Sequence, residues 1–175
     1  MSAQLTSVQQ ESIYHLFSAK DSFFVIPDYQ RPYAWEDNEC STLWDDICSF
    51  ALPDGDFHSN DDEYFLGPIV VFSNDDKKLE IIDGQQRLIS ILLLLRAFYE
   101  DMKNFTESWS VFDVRKNIGR CIWKTDEQGN PDFSIPKIDS QVATDDDRDE
   151  LMAILQSGIV EKTYKSRYAN NYRLF

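Results

Sequence analysis

The sequence predicts an α/β domain (mixed α+β) in which a small sheet packs on one central helix. Three observations predict this class: apolar residues recur at helical spacing in several segments, short β-branched runs stop at proline or glycine, and one long helical segment is apolar on almost every side. With 175 residues, of which 42% are hydrophobic, the chain can bury a core of its own.

The first half of the chain is predicted to alternate helices with strands. Residues 28–33 form a loop, because Pro27 and Pro32 exclude a regular helix between them. The apolar spacing predicts the remaining elements, which are helices at 6–20 and 36–51 and strands at 22–26, 64–72 and 78–82, the last two joined by a turn at 73–76.

Residues 85–103 are predicted to form the central helix. Its run from Leu88 to Leu95 is interrupted only by Ser90, so apolar side chains surround the helix axis. A helix with this pattern is typically buried on most sides. We therefore expect the sheet and the other helices to pack against it.

The second half of the chain is predicted to add helices and a hairpin. Thr144 and Asp147 have the spacing of a capping box, which predicts that a helix begins there. The pattern as a whole predicts helices at 109–120 and 148–156, a hairpin of strands 120–124 and 132–138 around a turn at 126–131, and a last helix from about residue 164.

The last predicted helix carries Tyr168, Tyr172 and Phe175 at spacings of four and three. We expect this aromatic stripe to be exposed and to require a partner. The sequence therefore predicts an N-terminal piece of a longer protein. Its first domain would occupy residues 1–110, and residues 111–175 would be the truncated start of a C-terminal region.

The net charge of −14 argues against one class of function. A broad surface that wraps duplex DNA needs cations to neutralise phosphates, and here 31 acidic residues outnumber 17 basic ones. A small pocket for one nucleotide or phosphate remains compatible with this charge, because a few local cations decide binding there.

Cysteine usage and hydropathy indicate the compartment. Three cysteines without a CxxC pair argue against a disulfide framework or a zinc site and favour a reducing, cytoplasmic location. The longest apolar run, 88–95, is too short to span a bilayer, so no membrane partner is expected.

The most distinctive residues stand at the junction before the central helix. After the β-branched pair Ile81 and Ile82, the sequence predicts that Asp83 caps the helix, Gly84 allows close approach of a ligand, and Arg87 lies in the first turn as a cation. Unpaired N–H groups at a helix start favour a phosphate. The alternative is a plain helix cap in which Arg87 forms an ion pair with Asp83 or Asp28.

The loop Tyr29-Gln30-Arg31 lies between two prolines, which hold it at low entropic cost. We interpret Arg31 as a second phosphate contact and Tyr29 as a stacking or hydroxyl-donating group. The alternative is an ordinary polar turn whose tyrosine packs on Trp35.

Four stretches together match one family, at 26–35, 43–47, 64–70 and 81–88, and they include Tyr-Gln-Arg at 29–31 and Asp-Gly-Gln-Gln-Arg at 83–87. In order and spacing, the chain resembles the N-terminal domain of GmrSD-type, modification-dependent (type IV) restriction enzymes, a domain related to the ParB/sulfiredoxin superfamily. The match covers most of residues 10–100.

The resemblance implies a ParB-like small sheet and a nucleotide-binding and nucleotide-hydrolysing regulatory domain that uses Mg²⁺ and a nucleoside triphosphate. DNA would be engaged through the full-length protein, and a C-terminal nuclease domain or subunit, absent from this chain, would cut it. The implied catalytic residues are Asp83, Gln86 and Arg87, and the implied nucleotide- or phosphate-binding residues are Tyr29, Gln30, Arg31, Gly84 and Gln85, with the metal ligands unknown.

One position departs from the family, which usually continues with Leu-Thr-Thr where this chain has Leu88-Ile89-Ser90. The chain also lacks a GxxxxGK[ST] segment, so it is not a P-loop enzyme. Two other functions stay open: a non-catalytic sensor that binds DNA phosphate or modified DNA and signals to a nuclease domain, and a structural assembly domain.

Overall fold

The computed structural model describes residues 9–20, 22–56, 63–73, 76, 78–105, 109–142 and 145–175. Within these ranges the chain is a mixed α/β fold, as predicted. Its elements in chain order are α1 (Ile13–Ser18), β1 (Phe24–Ile26), α2 (Asp37–Ala51), β2 (Val70–Ser73), β3 (Leu79–Asp83), α3 (Gln85–Asp101), a 3₁₀ turn (Met102–Asn104), α4 (Trp109–Ile122), β4 (Trp123–Thr125), β5 (Pro131–Pro136), β6 (Ile138–Ser140), α5 (Arg148–Ser157) and α6 (Arg167–Leu174).

The main sheet has four strands in the order β2-β3-β1-β6. Strand β1 lies inside it and runs parallel to both β3 and β6, whereas β2 is an antiparallel edge strand. All three residues of β1 are buried, as expected for a parallel strand covered on both faces. The parallel pairing aligns the ends of β1 and β3, so the loop after β1 and the start of α3 lie at the same edge of the sheet.

Helix α3 lies at the centre of the fold, as predicted. Leu88, Leu92 and Leu93 are at most 1% exposed, and they join the core with side chains from the sheet, α1, α5 and α6. The helix ends at Asp101, and residues 102–104 continue as a 3₁₀ turn. The long apolar run of α3 therefore packs in the core, and this packing fixes the position of the first turn of the helix.

The first helix is shorter than predicted. Residues 6–8 lie outside the described part of the chain, and α1 begins only at Ile13 because the Ser12 hydroxyl accepts a hydrogen bond from the His15 N–H. At its other end, the buried Lys137 ammonium donates to the carbonyls of Phe17 and Ala19. Those two bonds satisfy carbonyls that the helix cannot satisfy itself.

The predicted strand at 64–72 is wrong in its first half. Only Val70–Ser73 pairs with β3, and residues 64–69 have an irregular backbone. Gly67 adopts φ +100° and Pro68 has no N–H to donate, so this segment cannot form a sheet ladder. Asn74 and Asp75 of the predicted turn lie outside the described residues.

The hairpin is present, but its limits differ from the prediction. Residues 120–122 are the last turn of α4, and β4 pairs with β5 in a separate two-stranded sheet. Ile138 belongs to β6, which pairs with β1 of the main sheet. The predicted domain boundary at residue 110 stays a prediction. Strand β6, which lies after this boundary, forms backbone hydrogen bonds with β1, which lies before it.

The aromatic stripe of the last helix is not exposed, which corrects the prediction. Tyr168 is 2% exposed and stacks on Tyr33 at 4.9 Å between ring centroids. Tyr172 and Phe175 pack against the same core. The aromatic stripe therefore packs within this chain. It no longer supports the hypothesis of a structural assembly domain. Before α5, Thr144 lies outside the described residues and Asp147 is the N-cap.

Candidate functional site

The strand β3 and the helix α3 meet at one residue, Gly84. This residue is the N-cap of α3 and adopts the left-handed conformation with φ +90°. A Cβ here would lie 3.1 Å from an Ile69 side-chain carbon and 3.2 Å from the Pro68 carbonyl oxygen. The left-handed backbone conformation therefore favours glycine, and a Cβ would also be crowded by Ile69 and Pro68.

The predicted cap by Asp83 is wrong. Asp83 is the exposed last residue of β3, and the N-cap of α3 is Gly84, which has no side chain; no hydrogen bond from another described side chain caps the helix either. The first N–H groups of this helix consequently lack the side-chain oxygen that usually accepts from them. They keep the partial positive charge of a helix start.

A pocket of about 300 Å³ opens at this junction. It contains residues from both predicted motifs, which are far apart in sequence but meet at one edge of the sheet. Tyr29 is not part of its wall and is 65% exposed, so the structure does not place this predicted residue inside the pocket. The lining residues are Gln30, Arg31, Trp35, Asp83, Gly84, Gln85, Gln86 and Arg87.

Gln86 holds the loop that forms the opposite wall. Its side-chain oxygen accepts from the N–H groups of Ala34 at 2.7 Å and Trp35 at 3.2 Å, and its nitrogen donates to the Pro32 carbonyl at 3.3 Å. Both acceptor positions of the amide oxygen are thus occupied. These contacts show that Gln86 positions this loop. Its predicted role in orienting water stays a prediction.

Gln85 and Gln30 make similar bonds at the same edge of the sheet. Gln85 donates to the Arg31 carbonyl and Gln30 to the Ile82 carbonyl, each at 3.0 Å. Gln85 is 6% exposed, and its side-chain oxygen is buried without a hydrogen-bond partner in the described structure. A buried acceptor without a donor is uncommon.

Arg87 is held by a backbone carbonyl, and it has no carboxylate partner among the described residues. One of its guanidinium nitrogens donates to the Leu66 carbonyl at 3.1 Å, and the guanidinium occupies the space where a Cβ of Gly67 would lie. Within the described ranges, neither Arg87 nor Arg31 forms an ion pair. The alternative ion pair of Arg87 with Asp83 or Asp28 is therefore not formed.

The electrostatics of the pocket differ from those of the whole chain. Its wall carries two guanidinium groups and one carboxylate, on a protein with net charge −14. Within the described residues, no three side chains of histidine, cysteine, aspartate or glutamate cluster at metal-binding distances. The wall therefore favours an anion, and a cation would need oxygens from that anion.

A buried polar cluster lies behind the loop and was missed by sequence reasoning. The Tyr33 hydroxyl shares a hydrogen bond with Ser90 of α3 at 2.6 Å and accepts one from Asn171 of α6 at 2.9 Å. Burial, and next the bond with Cys40, raises the pKa of Tyr33 above its usual value, so the hydroxyl stays protonated. No local pattern predicts this cluster, since its members come from three segments that are distant in the chain.

The departure from the family at position 89 lies outside the pocket. Ile89 is 1% exposed and belongs to the core, and it is not among the residues that line the pocket. A threonine hydroxyl at this position would face the core, where it could not reach a phosphate in the pocket.

The structure and the site define a mixed α/β domain with a polar, two-arginine pocket at the start of its central helix. A family model described as the GmrSD restriction endonuclease N-terminal domain matches residues 13–175. The chain belongs to this family, as the four sequence stretches predict, and its role is in a restriction system. No curated protein matches the chain. In the described part, no helix is long and apolar enough to cross a membrane.

Proposed function

We propose that the pocket binds the phosphates of a nucleoside triphosphate and that the domain hydrolyses this nucleotide within the restriction system. The observation that carries the proposal is the meeting of Arg31, Arg87 and the uncapped start of α3 at one pocket. Both arginines are free of carboxylates in the described structure, and a helix start of this kind favours anions.

The residues of the pocket are compatible with Mg²⁺. In phosphate sites this ion is typically held by one or two carboxylates together with phosphate oxygens, and Asp83 is the one carboxylate among the lining residues that the structure describes. Mg²⁺ held by Asp83 and the nucleotide would reduce the negative charge of the phosphates. Asp83 is exposed, so it is accessible to such an ion.

The reaction is attack of water on the terminal phosphorus. A new P–O bond forms while the bond to the bridging oxygen breaks, which gives a nucleoside diphosphate, inorganic phosphate and a proton. Arg31 and Arg87 stabilise the charge that develops on the phosphoryl oxygens. Arg87 is already fixed by the Leu66 carbonyl, so little reorganisation is needed during the reaction.

The experiment is phosphate release from ATP and GTP with Mg²⁺, compared between the wild-type chain and Asp83→Asn. We expect the substitution to lower the rate at least tenfold. Asp113→Asn removes one exposed carboxylate on α4 and should leave the rate within twofold. Equal rates for all three proteins would contradict the role of Asp83, and absence of release with the wild type would contradict hydrolysis.

A second candidate is a sensor that binds DNA phosphate and hydrolyses nothing. It is favoured by the three glutamines of the pocket, each of which already donates to a backbone carbonyl, since an amide held in this way is poorly placed to orient water. Retention of modified DNA by the wild-type chain without nucleotide would support this candidate, and its loss in Arg87→Ala would assign the binding to the same pocket.

A further inference from the structure

The loop at 32–35 lies between the pocket and helix α6. On the pocket side, Gln86 binds three of its backbone groups. Trp35, which ends the loop, lines the pocket and also packs against the core. Whatever holds this loop from the other side therefore also fixes one wall of the pocket.

Asn171 holds the loop from that other side. It is 0% exposed, and its side-chain nitrogen donates to the Tyr33 hydroxyl and to the Trp35 carbonyl, both at 2.9 Å. Its side-chain oxygen is buried without a partner among the described residues. Such an orphan acceptor costs free energy, so the two donated bonds must outweigh it for the asparagine to stay in place.

Other contacts of α6 strengthen the same connection. Tyr168, one turn before Asn171, stacks on Tyr33 with the ring planes 13° apart. Arg167 forms an exposed ion pair with Glu36, which follows Trp35 directly. The first two turns of α6 are thus bonded to the segment that forms one wall of the pocket. Tyr172, by contrast, donates to the Gly158 carbonyl at the end of α5, and among the described residues it forms no hydrogen bond with the loop.

We propose that Asn171 is a positioning residue for the pocket: it fixes the backbone of Trp35 and so links the docking of α6 to binding in the pocket. A ligand that requires the ordered wall then stabilises the docked helix, and a loosened helix weakens binding by the same factor. The inference rests on the proposed function only for the identity of the ligand.

The experiment uses the whole chain and three proteins. Asn171→Leu removes both donated bonds while it keeps the branched shape and the number of side-chain heavy atoms, and Asn171→Ala replaces it if the larger leucine does not allow folding. Tyr172→Phe is the control, because it loses one hydrogen bond of α6 but none to the loop. The melting temperature of each protein, without ligand, reports how far α6 is destabilised in general.

The readouts are hydrogen exchange at the Ala34 and Trp35 amides without ligand, and the dissociation constants of ATP and GTP with Mg²⁺. We expect Asn171→Leu to speed exchange at these amides at least tenfold and to weaken nucleotide binding at least tenfold. Tyr172→Phe should change either value by less than twofold, even where its melting temperature falls by a similar amount.

The two proposals fail in distinguishable ways. Unchanged exchange at Ala34 and Trp35 in Asn171→Leu would overturn the positioning role, whether or not any nucleotide binds. So would faster exchange with unchanged nucleotide affinity. If the wild type binds neither nucleotide, the proposed function fails, and the exchange comparison still decides whether Asn171 orders the wall.

Discussion

At the scale of single residues, glycine determines where the strand β3 ends and the pocket begins. Gly84 and Gly67 both have positive φ, and in each case neighbouring atoms would crowd a Cβ. At Gly84 those atoms are the backbone and side chain of the irregular segment before β2, and at Gly67 they are the guanidinium of Arg87. Two glycines thus let this segment approach the start of α3 closely enough for Leu66 to hold Arg87.

Gly84→Ala tests this close approach, with Gly55→Ala as the control. Gly55 has a similar φ of +82°, but a Cβ there meets nothing within 4 Å. We expect Gly55→Ala to lower the free energy of unfolding by about 1–2 kcal/mol, because alanine is strained in the left-handed conformation. Gly84→Ala should cost roughly 2–4 kcal/mol, because it adds crowding against Ile69 and Pro68. Urea denaturation measures both values, and equal losses would show that the contact is unimportant.

At the scale of elements, the periodic helices were predictable and the connections between them were not. The spacing of apolar residues places α2, α3 and α5 within two residues of their observed limits, because one-sided or complete burial produces that spacing. The apolar residues of the segment 64–69 predict a strand. In the structure its Leu66 carbonyl accepts from Arg87 instead of a neighbouring strand.

The parallel pairing of β1 with β6 also leaves no local pattern in the sequence. Only the fully buried Lys137 lies between Pro136, the last residue of β5, and Ile138, the first residue of β6. Carbonyls at the end of α1, which are distant in the chain, hold Lys137 in place. Such a position depends on tertiary contacts, which outweigh the apolar alternation that predicted one continuous hairpin strand.

The ion pairs of Glu100 near the C-terminal end of α3 are expected to make the free energy of unfolding depend on pH. Burial of the Glu100 carboxyl acts to raise its pKa, but hydrogen bonds from Lys103 and Arg96 outweigh burial and lower the pKa below its usual value of 4.5. A lowered folded-state pKa means that the stabilisation is present above pH ~4.5 and is lost as the pH falls through the lower folded-state value.

Glu100→Gln tests this contribution. We expect the variant to be less stable than the wild type by about 0.5–1 kcal/mol at pH 7, a small value because the pair is partly exposed. The difference should shrink towards zero as the pH falls from 5 to about 3. Unfolding free energies across this range measure it. A difference that is constant with pH would show that the Glu100 charge does not contribute to stability.

At the scale of the whole molecule, a small positive site lies on a strongly acidic chain. The pocket contains two arginines, whereas the whole chain has a net charge of −14. We therefore expect specific binding of an anion in the pocket and only weak general affinity for duplex DNA. The family resemblance implies that the segments 29–31 and 83–87 meet, and Gln30 and Arg31 do line the pocket together with 83–87. The motifs did not predict Leu66, Tyr33 or Asn171, whose contributions depend on how distant elements pack.

The most direct measurement of the central claim is the thermal stabilisation of three proteins by ATP and GTP with Mg²⁺: wild type, Arg87→Ala and Arg120→Ala. Arg120 is a matched control, because it too is half-buried and donates to a carbonyl, that of Gly129, away from the pocket. Both substitutions remove one such bond and should lower the melting temperature of the free protein similarly.

At a nucleotide concentration of about one hundred times the dissociation constant, binding adds about 2.7 kcal/mol of stability, which corresponds to a rise of roughly 5–10 °C for a chain of this size. The account predicts this rise for the wild type and Arg120→Ala and its loss for Arg87→Ala. No rise with either nucleotide in the wild type, or an equal rise in all three proteins, would contradict a phosphate site at the start of α3.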